Sequence, residues 1–175
     1  MVMLSGCASS DSGMERAMQL RDRLLGSGCS FTATVCADYG DKLYTFAMGC
    51  TAGVDGAVKF IVRSPETIAG IGGTLGPDTG FLTFDDVALA FPMLAEGEVT
   101  PVSGPWLLVN TLRGGYIAAA GAEDDLLRIT LHDSYREDAL QLEVWLDGSN
   151  VPVQAEILWQ GRRVLTLEIK DFQFV

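Results

Sequence analysis

The sequence predicts a mainly β fold of the α+β class, in which an antiparallel sheet is accompanied by an N-terminal helix and a short second helix. Three observations support this. Apolar and polar residues alternate along most segments, two hairpins align so that apolar faces apolar, and helical periodicity is confined to two stretches. The chain has 175 residues, of which 48 % are hydrophobic, so it can form one domain with a sizeable core. No repeat and no internal domain boundary is evident.

The N-terminus carries a motif typical of lipid attachment. Residues 4–7 read Leu-Ser-Gly-Cys, which resembles the lipobox of bacterial lipoproteins. The resemblance implies that Cys7 receives a lipid and that a signal is cleaved before it. The protein would then be held on a bacterial membrane, outside the cytoplasm, by its lipid anchor alone. A chance match of four residues is the alternative.

The lipobox also sets the expected domain limits. A signal peptide has a charged start and an apolar run of roughly 7–15 residues. Only three residues precede the motif, so we interpret residues 1–6 as the remnant of a truncated signal. Small and polar residues follow, which predicts a flexible tether over 7–13 and a single folded domain over 14–175.

Composition excludes several classes of partner. The formal net charge is −11, which disfavours nucleic acid because phosphate binding needs clustered Lys and Arg. The longest apolar run, 87–95, is interrupted by Pro92 and is far shorter than the roughly 20 residues of a membrane span. Beyond Cys7 the cysteines are Cys29, Cys36 and Cys50, without a Cys-x-x-Cys pair. We expect buried free thiols, with a Cys29–Cys50 disulfide as the alternative.

The first helix is predicted over Ser12–Leu25. Ser12 and Glu15 form a capping box, and glycines from Gly26 onward end the helix. Apolar residues at helical spacing share one broad face, namely Met14, Ala17, Met18, Leu20, Leu24 and Leu25. Arg21 falls inside that face, where we expect a long side chain that reaches the rim; a contact with a ligand head group is the alternative.

The first hairpin has a register that can be derived from the pattern. A two-residue turn at Gly40-Asp41 makes apolar residues face apolar residues in three pairs: Val35–Phe46, Ala33–Met48 and Phe31–Cys50. In the closing hairpin, a three-residue loop, Gln160–Arg162, also makes apolar residues face apolar residues. The pairs are Ile157–Leu165, Ala155–Leu167 and Val153–Ile169. Further strands are predicted at 57–64, 81–84, 87–91, 116–120, 126–132 and 140–146.

The second helix is predicted over Gly104–Leu112. Ser103-Gly104-Pro105 is a favourable start, because proline is tolerated in the first turn, and Gly114-Gly115 ends the helix. The residues between are mostly apolar and include Trp106. We therefore expect a short apolar helix inserted between strands.

This order of elements resembles the LolA/LolB-like superfamily of lipoprotein carriers over roughly Met14–Phe174. The resemblance rests on Phe31–Val35 after the first helix, on Lys59–Pro65 as a strand that ends in a basic residue and proline, and on the closing hairpin from Pro152 to Phe172. It extends to the germination-type lipoproteins of spore-forming bacteria. It implies a curved antiparallel sheet, or incomplete β-barrel, with an apolar concave cavity that takes up acyl chains under a helical lid.

Residues that would support catalysis are not arranged in a recognisable motif. The single histidine, His132, lies on a predicted strand, and the sequence has no Gly-x-Ser-x-Gly, His-Glu-x-x-His or P-loop. Asp85-Asp86 and Glu123–Asp125 lack calcium-loop spacing, which favours solvated turns. We therefore expect no enzyme, no cofactor and no metal.

The candidate site is the apolar concave face. Its expected lining consists of the aromatic and long apolar residues Phe31, Val35, Phe46, Met48, Phe60, Phe84, Phe91 and Trp106. If this face is an open cavity, Met48→Glu should block binding more than it unfolds the domain, whereas in a packed core it should unfold it. Two functions stay open: a lipoprotein that binds lipid or acyl chains, and an anchored adaptor that binds a protein partner in the cell envelope.

Overall fold

The computed structural model describes residues 8–77, 80–84, 87–91, 94–95, 98–136 and 139–175, without the side chains of 8–11 and 84–98. Two α-helices are α1 (Ala8–Gly26) and α2 (Gly104–Gly114). The strands are β1 (Cys29–Asp38), β2 (Leu43–Ala52), β3 (Val58–Ser64), β4 (Gly72–Leu75), β5 (Gly80–Phe84), β6 (Val87–Phe91), β7 (Leu94–Ala95), β8 (Glu98–Val99), β9 (Tyr116–Glu123), β10 (Leu126–His132), β11 (Gln141–Leu146), β12 (Pro152–Trp159) and β13 (Arg162–Phe174).

The strands confirm the predicted mainly β fold. In the described part of the chain, eleven of them form one sheet in the order β6-β5-β4-β3-β2-β1-β13-β12-β11-β10-β9, while β7 and β8 pair with each other. Every pairing is antiparallel. The sheet is curved and does not close, because β6 and β9 remain at its two ends. Helix α2 packs on the concave, apolar face against β2, β10 and β13, and α1 packs against α2 and β9.

The first hairpin has the predicted register. Val35 pairs with Phe46 and Ala33 with Met48, and the turn is the two residues Gly40 and Asp41. The Tyr39 amide donates to the Lys42 carbonyl at 3.0 Å. Gly40 has φ of +90°, a conformation that glycine adopts without the steric cost that a Cβ brings.

The closing hairpin has the predicted pairs near its centre, but its loop is shorter than predicted. Ile157 pairs with Leu165, as expected, and Trp159 pairs with Arg162, so the turn is Gln160-Gly161 rather than three residues. Both turn residues have positive φ, 51° and 77°, as a type I′ turn requires. The extra residue is a bulge on β13, where Val164 and Leu165 are both buried.

Helix α1 differs from its prediction in two ways. It begins at Ala8, so the stretch expected as a flexible tether, up to residue 13, is helical. The broad apolar face also divides: Ala17, Leu20 and Leu24 are buried, whereas the remaining members, Met14, Met18 and Leu25, are exposed. The apolar face spans almost half the helix circumference, and only one side of it packs against the interior.

Helix α2 lies in the interior of the domain. Eight of its eleven residues are buried, among them Trp106 and the fully enclosed Leu108. The indole Nε1 of Trp106 donates to the Gly56 carbonyl at 3.1 Å, so its polar atom is satisfied. Gly104 lies where a Cβ would come within 3.3–3.4 Å of Leu165 and Leu167, which lets the helix start close to β13.

The cysteines other than Cys7 are free thiols, as predicted. Cys29 and Cys50 are buried, and Cys36 is half-buried. Among the described residues, neither helix is long and apolar enough to cross a membrane.

Candidate functional site

An open cleft lies where the β1–β2 turn meets the segment that leads into α2. Its volume is about 640 Å³. Its walls come from both ends of the β1–β2 turn, from the helical turn Glu66–Ile68 and from the stretch before α2. We call it the turn-end cleft, and its lining residues are Tyr39, Asp41, Lys42, Tyr44, Phe46, Ile68, Val99, Thr100, Pro101 and Val102.

Tyr39 fixes one wall of the turn-end cleft. Its hydroxyl donates to the Val99 carbonyl, which ties the first hairpin to the chain before α2. Its ring meets Tyr44 edge to face with centroids 6.2 Å apart. Beyond Tyr39 is a second recess of about 330 Å³, lined in part by Trp159 and Val164. The aromatic wall therefore separates two neighbouring recesses at the same end of the sheet.

Charge at the turn-end cleft is confined to its rim. Asp41 and Lys42 belong to the exposed β1–β2 turn, whereas Phe46 and Val99 are buried. A mainly apolar recess with a few polar groups at one edge is the usual form of a small-molecule site.

The predicted cavity residues occupy three kinds of position. Phe46 lines the turn-end cleft. Five others are buried: Phe31, Val35, Met48 and Phe60 on the concave face of the sheet, and Trp106 on α2. Phe84 and Phe91 are on β5 and β6, but their side chains, like the whole of Cys7, lie outside the described residues. That this set holds a ligand stays a prediction.

The burial of the concave face has a direct cause in α2. Val35 and Met48 have no exposed surface, because the apolar side of the sheet packs on this helix. Space remains beyond the helix N-terminus, where Pro101 and Val102 approach the β1–β2 turn. We did not predict the residues that line this space other than Phe46. The aromatic residues around the predicted β1–β2 turn, Tyr39, Tyr44 and Phe46, are the feature of the sequence that could have indicated it.

Two arginines tie the helices together. Arg21 of α1 donates from Nε to the Leu112 carbonyl at 2.8 Å and from Nη2 to the Gly115 carbonyl at 2.6 Å. Arg113 of α2 donates from Nε to the Leu24 carbonyl at 2.9 Å. Each helix thus supplies a cation to the carbonyl end of the other, where the helix dipole is negative. Burial lowers the pKa of Arg21. Arg21 is half-buried, and its Nε and Nη2 are directed at these carbonyls at the C-terminal end of α2.

A buried carboxylate lies on the other face of the sheet. Glu143 is 3 % exposed and accepts hydrogen bonds from Arg128 Nε at 2.8 Å, Thr130 Oγ1 at 2.9 Å and Gln141 Nε2 at 2.7 Å. The hydrogen bond and charge of Glu143 raise the pKa of Arg128. The Glu143 carboxylate accepts all three hydrogen bonds from residues of β10 and β11. We therefore assign it a structural role in holding these two strands together.

Other candidate groups of the sequence are scattered. His132 is half-buried at the end of β10, and the Asp133 carboxylate beside it accepts the Leu140 amide at 2.9 Å. Asp85 and Asp86 lie outside the described residues, whereas Asp124 has φ of +54° in the β9–β10 turn. Within the described ranges, no three His, Cys, Asp or Glu side chains converge on a point that could hold a metal ion.

Solved structures share the architecture of this chain. A DUF1329 family protein from Desulfovibrio piger matches with a TM-score of 0.50 and 10 % identity, over 95 % of this chain and 93 % of the other. An uncharacterized conserved protein from Thermus thermophilus matches with a TM-score of 0.50 and 10 % identity, over 93 % and 87 %. A LolA superfamily protein from Nitrosomonas europaea matches with a TM-score of 0.47 and 10 % identity, over 97 % and 94 %.

At these identities the likeness concerns the fold. No family model matches the sequence, and no curated protein matches it. The fold is the one that the sequence predicted: a curved, unclosed antiparallel sheet with an N-terminal helix and a second short helix.

Proposed function

We propose that the protein is an extracytoplasmic lipoprotein, anchored through Cys7, that binds lipid or acyl chains in the turn-end cleft and performs no catalysis. The observation that carries this is the cleft itself. Its volume of about 640 Å³ falls within the roughly 300–1,000 Å³ of small-molecule sites, and its walls are largely aromatic and aliphatic.

An acyl chain fits the chemistry of these walls. Burial of apolar surface contributes about 25 cal/mol per Å², so a long chain binds without directional contacts. At the rim, the Lys42 ammonium can pair with an anionic head group, while Asp41 beside it disfavours a second negative charge. The preferred ligand under this proposal is a single-chain or partly inserted lipid.

A second candidate is supported by the filled concave face. Because Val35, Met48 and Phe60 are buried, the site is shallow, and the exposed residues Tyr44 and Ile68 lie at its edge. A shallow apolar recess with an exposed rim also suits an apolar segment of a protein partner. In that case the protein is an anchored adaptor in the cell envelope.

The test compares two isoleucines of similar exposure. Ile68 lines the turn-end cleft and is 36 % exposed, whereas Ile61 lies outside it on β3 and is 49 % exposed. Ile68→Asp should weaken binding of a fluorescent fatty acid at least about tenfold, because an unpaired charge would have to be desolvated. Ile61→Asp should bind like the parent.

Thermal melting of both variants checks that they are folded. Equal probe affinity for Ile68→Asp and the parent would refute the cleft as the lipid site. If the parent itself binds no fatty acid, the adaptor function is the one supported.

The anchor is tested separately in cells. A precursor with a complete signal should incorporate labelled palmitate and enter the detergent phase, and Cys7→Ala should abolish both. Labelling that persists in Cys7→Ala would refute attachment at this residue.

A further inference from the structure

Helix α1 carries a second apolar stripe that faces away from the core. Met14, Met18 and Leu25 are 37 %, 42 % and 56 % exposed. At 100° per residue these three side chains fall within about 40° of one another. The buried stripe of Ala17, Leu20 and Leu24 is centred roughly 90–120° away. The outward stripe is thus a distinct face of the helix.

Two tyrosines lie near Arg21, which adjoins this stripe on the surface of α1. Tyr116 is half-exposed, Tyr135 is almost fully exposed, and their rings are 5.4 Å apart. Arg21 joins them to α1, because it binds the carbonyl of Gly115, the residue before Tyr116. We call Met14, Met18, Leu25, Tyr116 and Tyr135 the outer helix patch. An apolar stripe bordered by tyrosines is the composition of surfaces that lie at a membrane interface.

We propose that the outer helix patch rests on the membrane to which Cys7 is anchored, with α1 lying in the plane of the interface. The proposal rests on the anchor in the proposed function. The place of α1 in the chain supports it, because α1 begins at Ala8, directly after the proposed lipid-attachment residue Cys7. From Ala8 to Leu25 an α-helix rises about 26 Å, so an upright helix would hold Leu25 far from the lipid, whereas a flat one brings the whole stripe to it.

The charges of the chain specify the kind of lipid surface. Glu15 and Asp22 are exposed on the side of α1 that borders the stripe, and the net charge of the protein is −11. These charges disfavour anionic lipid, so we expect the contact to come from apolar burial at a zwitterionic interface. Phosphatidylcholine is the matching surface.

This orientation turns the turn-end cleft away from the membrane. Arg16, early in α1, binds the Asp147 carbonyl in the β11–β12 turn, and the end of α1 meets the β2–β3 turn through Arg113 and Gly53. The cleft lies at the β1–β2 turn. In antiparallel strands successive turns alternate between ends, so β1–β2 is opposite to both of the others. Any ligand then reaches the cleft from the envelope space.

The experiment places one extra tryptophan in the full chain. In a Cys36→Ser background, Cys7 is coupled to a maleimide lipid in phosphatidylcholine vesicles, so the result does not depend on lipidation in cells. Cys29 and Cys50 are buried and do not compete. The variants are Met18→Trp in the patch, Gln19→Trp on the neighbouring exposed face of α1, and Lys42→Trp at the cleft rim.

In phosphatidylcholine vesicles, the added emission of Met18→Trp should shift to the blue, because the indole leaves water. Brominated phosphatidylcholine should quench the same emission. The added emission of Lys42→Trp should be unaffected, and that of Gln19→Trp should lose much less than that of Met18→Trp. Quenching of Lys42→Trp in place of Met18→Trp would overturn the orientation while leaving lipid binding and the anchor standing.

Quenching and the oligomeric state together test whether a second copy of the chain, and not the membrane, covers the outer helix patch. If no added tryptophan is quenched, and the uncoupled parent forms a dimer that Met18→Asp disperses, the patch is an interface between copies and the membrane proposal is wrong. Because Met18 is exposed, Met18→Asp should melt like the parent, so loss of the contact can be separated from unfolding.

Discussion

Replacement of Arg113 by methionine should measurably loosen the attachment of the two helices. Arg113 donates to the carbonyls of Leu24 at 2.9 Å and Gly53 at 2.8 Å, and more weakly to Ser27 at 3.4 Å. Methionine retains the packing of the aliphatic stem and removes the donors, so the change isolates the hydrogen bonds.

The size of the effect follows from these contacts. A hydrogen bond to a charged group contributes about 1.5–3 kcal/mol, and two of the three contacts have good distances. Arg113 is only half-buried, so water restores part of what is lost. We expect a loss of about 2–3 kcal/mol, which for a domain of this size lowers Tm by about 5–10 °C.

Thermal unfolding followed by circular dichroism measures this difference. Arg162→Met is the matched control, because Arg162 donates to a single exposed carbonyl, that of Asp38, at 3.0 Å, and its Tm should stay within about 1–2 °C of the parent. An Arg113→Met variant that melts like Arg162→Met would refute the view that the paired arginines hold the helices. The double variant with Arg21→Met should lose less than the sum, because both residues join the same two helices.

Three further predictions follow from buried groups. Met48→Glu should destabilise the domain by several kcal/mol in a melting experiment, because Met48 is fully buried and its charge would be unpaired; a near-parental Tm would show that the concave face is open. Glu143→Ala should lower Tm by about 3–5 °C since three donors lose their acceptor, whereas Glu168→Ala, which breaks only an exposed pair with Lys170, should change it little. At pH 8 an alkylating reagent should modify Cys36 first and Cys29 slowly. Burial raises the pKa of Cys29 to about 11, and the reactive thiolate forms only as pH rises toward that value. Equal rates of modification in the folded protein would contradict the burial of Cys29.

The same raised pKa makes stability depend on alkaline pH. A thiol whose folded pKa lies above its unfolded value favours the folded state fully at lower pH. That contribution is lost as pH rises from about 8.5, the pKa of a free thiol, toward 11. Burial also raises the pKa of Cys50, with the neighbouring Cys29 as the second cause, so both thiols act in the same direction.

The strands could be predicted because their information is local. A two-residue turn at Gly40-Asp41 determines every pair of the first hairpin, and a slip by one residue would have turned Phe46 and Met48 to solvent. The closing hairpin shows where this reasoning reaches its limit. A bulge at Val164 shortens the loop without disturbing Ile157–Leu165, and the pattern alone does not distinguish the two solutions.

The candidate site could not be predicted in the same way because it depends on how the helices fill the sheet. In the sequence, the residues of the concave face form one apolar pattern. The position of α2 decides whether Val35 and Phe60 contact a helix or a ligand, and the pattern does not give that position. The turn-end cleft joins segments far apart in the sequence, from Tyr39 to Val102, through the hydroxyl of Tyr39. Likewise, the helical pattern of α1 did not reveal that Met14 and Met18 remain outside the core.

The filled concave face and the outward stripe of α1 have a common physical origin. Because α2 occupies the centre of the sheet, α1 can bury only Ala17, Leu20 and Leu24. The apolar surface of α1 is therefore wider than the area it can bury, and Met14, Met18 and Leu25 face outward. The turn-end cleft opens beyond the N-terminus of α2, at the β1–β2 turn. A shorter α2 should therefore change the filled concave face and the outward stripe of α1 together. The cavity on the concave face would become deeper. Helix α1 could then pack closer to the sheet, and less of the outer helix patch would be exposed.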